Sequence, residues 1–145
     1  MSPKISQAYL DDLFSSPDFS KLVELSGCLY AAGGYKRDDP TYGLPQPLFV
    51  FVESLMWFSQ AERSGVWTYY EAAPKTRQDA MLGALECEAP EGFATHYALG
   101  MGSWHDPAKI DVVDIWLRDR ADDINRWLWR LINKHRDTFE RLCTL

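Results

Sequence analysis

At 145 residues the chain has the length of one domain, enough to bury a core without disulfides or a structural metal. It is 46% hydrophobic and 14% aromatic, with six Trp, a composition that excludes a disordered chain. A formal net charge of -6 argues against non-specific binding to nucleic acid or to an anionic membrane surface, and leaves room for a basic partner.

In chain order, Ile5, Tyr9, Leu10, Leu13 and Phe14 recur at helical spacing, and Ser15-Ser16-Pro17 ends that segment. Phe19, Leu22, Val23 and Leu29 mark a second helix, which Gly33-Gly34 is expected to stop. Residues 33–47 hold three Gly and three Pro and predict an exposed loop. Pro45 and Pro47 then open an apolar stretch over 48–62. Val50, Phe51, Leu55, Met56 and Phe58 cover more than one face of it, as in a central helix buried nearly all round. A buried strand over 48–52 is the alternative; continuation to residue 62 without turn residues favours helix.

Gly65 interrupts this helix, and the aromatic stretch 66–73 predicts a turn or short helix. After Pro74, Ala80, Met81, Ala84 and Leu85 share one side of a helix over 76–88. Pro90 suits the first turn of another helix, which carries Phe93, Ala94, Tyr97 and Ala98 and is closed by Gly100 and Gly102. Asp106-Pro107 is a helix start, with Asp as cap and Pro in the first turn.

From Ile110 to Leu142 one apolar stripe keeps its phase, through Val113, Leu117, Ile124, Leu128, Leu131, Ile132, His135 and Phe139. Unbroken, that helix would run roughly 50 Å. A domain of this size has a radius of gyration of about 15 Å. A bend near 120–122 is therefore expected. The fold class is all-α: a single compact multi-helix domain over 1–145 with a long C-terminal helical segment. Acids crowd the first half of that segment and bases the second, which complements the helix dipole, and Asp114/Arg118, Asp122/Arg126 and Asp137/Arg141 are i,i+4 pairs.

Cys28, Cys87 and Cys143 are odd in number, far apart and without a CxxC pair, which suits buried thiols in a reducing, cytoplasmic compartment. Residues 1–10 show no basic stretch followed by an apolar run, so no signal peptide is expected. The longest apolar run, 48–52, is broken by Glu53 and is too short to span a bilayer.

Catalytic chemistry has little to build on. The histidines are His96, His105 and His135, and the last lies on the apolar stripe. His105-Asp106 invites comparison with metal-dependent HD phosphohydrolases, but His96 is too near to serve as the upstream ligand, so Asp106 is expected to cap a helix and His105 to lie in a loop. No HExxH, GxSxG, P-loop or GxGxxG motif is present. The expectation is a protein that is not an enzyme and holds no cofactor and no metal.

Surface chemistry points instead to a protein partner. Trp116 and Trp127, three helical turns apart, flank the apolar stripe; they either serve an interface or belong to a wide core face touching a second helix. The segment 62–71 places Trp67, Tyr69 and Tyr70 between Glu62 and Glu71. It resembles the signature of a DNA-mimic family of bacterial helical domains, roughly E-x-x-N-G-G-F-x-Q-[YF]-[FY]-x-N. Glu62 matches the acid, Gly65 a glycine, Trp67 the Phe, and Tyr69 and Tyr70 the aromatic pair; Ala84-Leu85-Glu86 and Ala89-Pro90 resemble the helix and turn that follow. Ser64, Val66, Thr68 and Glu71 depart from the pattern. The resemblance covers about residues 48–142.

What the resemblance implies is an acidic helical protein that occupies a DNA-binding protein without itself touching nucleic acid. Related small acidic proteins serve as immunity proteins beside bacterial toxins, often nucleases. A charge of -6 is modest for mimicry of a phosphate backbone, and the aromatic excess suits a specific interface. The favoured expectation is therefore an immunity protein that neutralises a cognate toxin, with sequestration of a transcription factor as the alternative. The residues expected to carry partner binding are Glu62, Trp67, Glu71, Asp119, Asp122 and Asp123.

Overall fold

The computed structural model describes residues 4–31 and 36–144. Their fold is all-α, with helices α1 Gln7–Leu13, α2 Phe19–Ala31, α3 Gln46–Arg63, α4 Trp67–Ala72, α5 Lys75–Glu88, α6 Phe93–Ser103, α7 Pro107–Asp119, α8 Ala121–Lys134 and α9 Arg136–Cys143. Among the described residues the only β contact is an isolated parallel bridge between Ile5 and Thr144, where Ile5 N–H donates to the Cys143 carbonyl at 2.8 Å.

The apolar stretch after Pro45 and Pro47 is helical, and α3 is the central element. Eleven of its side chains are buried: the apolar Leu48, Phe49, Val50, Phe51, Val52, Leu55, Trp57, Phe58 and Ala61, together with the less expected Glu53 and Ser54. Helices α2, α4, α5, α7 and α8 all pack on it. A helix this apolar gives water only a narrow strip, at Met56 and its two ends, so it must be wrapped from several sides.

Helices α5, α6 and α7 pack in succession around one side of α3. Pro90 does not open α6. It lies in the turn before it, and α6 starts after Gly92, whose φ of 95° is left-handed. Gly100 and Gly102 do not end α6 either, because the helix runs through both to Ser103. Gly100 is there for close approach: a Cβ at that position would collide with the ring of Tyr70, while one at Gly102 would meet nothing.

The C-terminal segment is three consecutive helices. The break at Arg120 falls where compactness required one. A second break at His135, in the same backbone conformation, turns α9 back to pack against α2. The apolar stripe keeps its phase through both breaks, so periodicity could locate neither. The expected stop at Gly33-Gly34 lies outside the described residues. The loop before α3 is less exposed than its Pro and Gly suggest, because Tyr42 and Leu44 are buried.

Candidate functional site

The turn between α3 and α4 sets the geometry of the aromatic segment. Gly65 has a left-handed φ of 101°, and a Cβ there would stand 2.9 Å from Trp67 Cδ1, so both the backbone and the neighbouring indole require glycine. The Val66 N–H, which opens α4, donates at 2.8 Å to Asp114 Oδ1 on α7. That bond satisfies a helix-end donor and fastens α4 to α7. Burial lifts the Asp114 carboxyl above the usual aspartate range, with the Val66 bond and the nearby Arg118 acting in the opposite direction.

With α4 held this way, Val66, Tyr69 and Tyr70 turn inward and are buried, while Trp67 remains 41% exposed. Glu62, Glu71, Asp119, Asp122 and Asp123 are all exposed as well. These six residues do not form one patch. Glu62 and Asp122 meet across a surface depression of about 470 Å³ whose apolar lining includes Phe19 and Phe58. Arg63 and Asn125 also line it, and the buried Asn125 Oδ1 has no hydrogen-bond partner among the described residues.

Trp67 belongs to a second depression of about 440 Å³, shared with Trp104, His105, Asp111 and Asp114. The chain segment 63–67 joins the two, with Arg63 lining the first and Trp67 the second. Asp123 borders a third depression, of about 260 Å³, rimmed by Arg120, Arg126 and Arg130, and it pairs with Arg126. Glu71 and Asp119 line none of these three.

Trp127 is a core residue, and Trp116 packs half-buried against the core at the edge of the third depression. Trp127 is buried against Phe93, with ring centroids 4.7 Å apart. Trp116 stacks on His96 at 4.2 Å, meets Phe93 edge-on at 5.0 Å, and carries the Arg120 guanidinium 4.6 Å from its ring. His96 Nδ1 lies 2.8 Å from the Gly92 carbonyl oxygen, and His105 packs on Trp104. Asp106 Oδ1 accepts from the N–H groups of Ala108 and Lys109, the geometry of a helix cap. Among the described residues no three His, Cys, Asp or Glu side chains are grouped to hold a metal ion. No described helix is long and apolar enough to cross a membrane.

Sequence reasoning missed a buried polar cluster on α3. Glu53 accepts from Tyr42 Oη at 2.7 Å and from Tyr69 Oη at 2.5 Å, and Tyr69 Oη lies 2.7 Å from Tyr97 Oη. Tyr70 Oη accepts from Trp57 Nε1 at 2.9 Å and donates to the Tyr97 carbonyl at 3.0 Å. Burial pushes the Glu53 carboxyl up, and the two tyrosine hydrogen bonds offset part of that rise. Arg77 covers the cluster from α5. Its guanidinium lies 4.1 Å from the Tyr42 ring centroid and donates to the carbonyls of Arg37, Asp39 and Pro40. The signals were a carboxylate inside an otherwise apolar run and a Tyr-Tyr pair nearby; neither says that the two would meet.

Comparison of the chain with family models, with curated proteins and with solved structures finds no match in any of the three.

Proposed function

We propose that this chain is an immunity protein: a cytoplasmic, non-enzymatic binding protein that neutralises a cognate bacterial toxin, a nuclease, by docking on its basic surface. The observation that carries the reading is the segment 62–71 and its surroundings. Trp67 stays at the surface while Val66, Tyr69 and Tyr70 beside it are buried, and it shares a depression with Asp111 and Asp114 of α7. An exposed Trp within a carboxylate surface is the composition of an interface anchor rather than of a solvated helix face. Depressions on both sides of residues 63–67 offer concave, partly apolar footing for a partner. The likeness of 62–71 to the DNA-mimic signature points the same way.

Sequestration of a DNA-binding protein is the competing outcome. Arg63, Arg118, Arg120 and Arg126 interleave with the acids, and Arg126 pairs with Asp123, which breaks up any phosphate-like row of uncompensated charge.

The test is to express the product of the gene adjacent to this one with and without this chain. The expected result is growth arrest by the neighbour alone, rescue on co-expression, and a stable complex on purification. No complex and no rescue would reject the immunity reading. Displacement of DNA from a bound regulator by the purified chain would favour mimicry.

A further inference from the structure

The depression around Trp67 has a chemistry distinct from the others. It is lined by Trp67 and Trp104, by Pro107 and Ile110, and by the polar groups of His105, Asp111 and Asp114. Among the described residues neither Asp111 nor Asp114 has an ion pair. Arg118, the nearest base by helical spacing, hydrogen-bonds through Nε to the Asp114 backbone carbonyl at 3.4 Å instead of pairing with its carboxylate. Arg118 lowers the Asp114 carboxyl and Asp111 raises it, so one nearby base offsets part of the negative charge here without forming an ion pair. Two indoles and two carboxylates that form no ion pair among the described residues, around one concavity, complement a flat organic cation. The negative ring face attracts the charge, and the carboxylates accept its hydrogen bonds.

We propose that this pocket receives one arginine side chain of the protein partner, as the anchor of the complex. Arginine fits better than lysine because a guanidinium is planar, stacks on indole and can bond two carboxylates at once, whereas an ammonium is a compact, strongly hydrated point charge. The pocket is built for the task. Gly65 lets the Trp67 indole lie against the turn, and the Asp114–Val66 bond fixes the carboxylate that faces it. Val112 and Ile115 on α7 are 49% and 45% exposed. Ile115 falls about 40° beyond Asp111 on the helical wheel, so apolar surface adjoins the pocket and the rest of the partner has something to cover.

The inference rests on the protein-partner reading above but is tested without that partner. The ¹⁵N-labelled chain is titrated with N-acetyl-arginine amide, and with the citrulline analogue, which has the same shape without the charge. The expected result is a saturable shift of the Trp67 and Trp104 indole N–H signals, with Trp127 unmoved and no response to citrulline. Asp111→Asn with Asp114→Asn should weaken the response about fivefold, and Trp67→Ala about threefold. Asn at position 114 keeps an acceptor for the Val66 N–H, so the fold control is an unchanged amide spectrum away from the pocket. No saturable shift, an equal response to citrulline, or a shift centred on Trp116 would overturn the proposal. If arginine fails to bind while the neighbouring gene product still forms a complex, the pocket assignment falls and the immunity reading stands. If arginine binds and no complex forms, the reverse holds.

Discussion

At the scale of single residues, Glu53 is the least conventional choice in the chain. A carboxylate in the central helix costs desolvation, which its two tyrosine donors offset only in part, so its pKa is raised. The sign of the pH effect follows. The folded state binds the proton more tightly than the unfolded chain, so the contribution is fully present below 4.5, the ordinary glutamate value. It is lost as pH rises from there through the raised folded-state value. Glu53→Gln keeps the volume and one acceptor but cannot ionise. Relative to this variant, the natural chain should lose stability as pH rises above 4.5, by at most about 1.4 kcal/mol per pH unit. Urea unfolding of both proteins across pH 4 to 8 measures the difference. Parallel curves would mean that Glu53 titrates as it does in the unfolded chain.

At the scale of elements, what matters is how closely helices approach and where they stop. Gly100 brings α6 onto Tyr70 of α4, whose hydroxyl is held by Trp57 and the Tyr97 carbonyl. Alanine at 100 gains helix propensity, worth about 1 kcal/mol at most, but forces a ring that has no free direction to move. Gly100→Ala should therefore destabilise by about 2 kcal/mol net. Gly83, in α5 with open space around it, is the counterpart, and Gly83→Ala should stabilise by about 0.5–1 kcal/mol. Denaturant midpoints of the two variants should move in opposite directions; a neutral Gly100→Ala would show that the α4–α6 contact yields easily. The same element scale explains α7 to α9. Periodicity reports which face is apolar, and that face is the same before and after a break, so the sequence conveyed the stripe without the corner at His135.

At the scale of the whole molecule, the acids are spread over several depressions and are interleaved with arginines. Such a surface steers a basic partner more than it holds it, because exposed charges are screened and their pairs contribute little. Asp119→Asn, Asp122→Asn and Asp123→Asn together should slow association with the proposed toxin partner about tenfold at low salt and flatten the salt dependence of that rate. Dissociation should change much less, since residence is set at the aromatic pocket. Stopped-flow association at several ionic strengths is the measurement. An unchanged rate and slope would place the partner elsewhere on the surface.

The sequence by itself determined the helical class, the central apolar helix over 48–62, the Asp106 cap, the bend near Arg120 and the exposure of Glu62 and Glu71. Each of these follows from local spacing, from caps or from the size limit of a compact domain. Only the tertiary structure decided that Trp127 is core and Trp116 half-buried against it, that Gly100 is a contact and not a stop, and that Asp114 reaches across 48 residues to Val66. It also brought Tyr42, Tyr69 and Tyr97 together around Glu53. The physical reason is common to all of these. Periodicity fixes the face of a helix on which a side chain stands, whereas its role depends on which other helix covers that face, and that is settled by packing between segments distant in sequence.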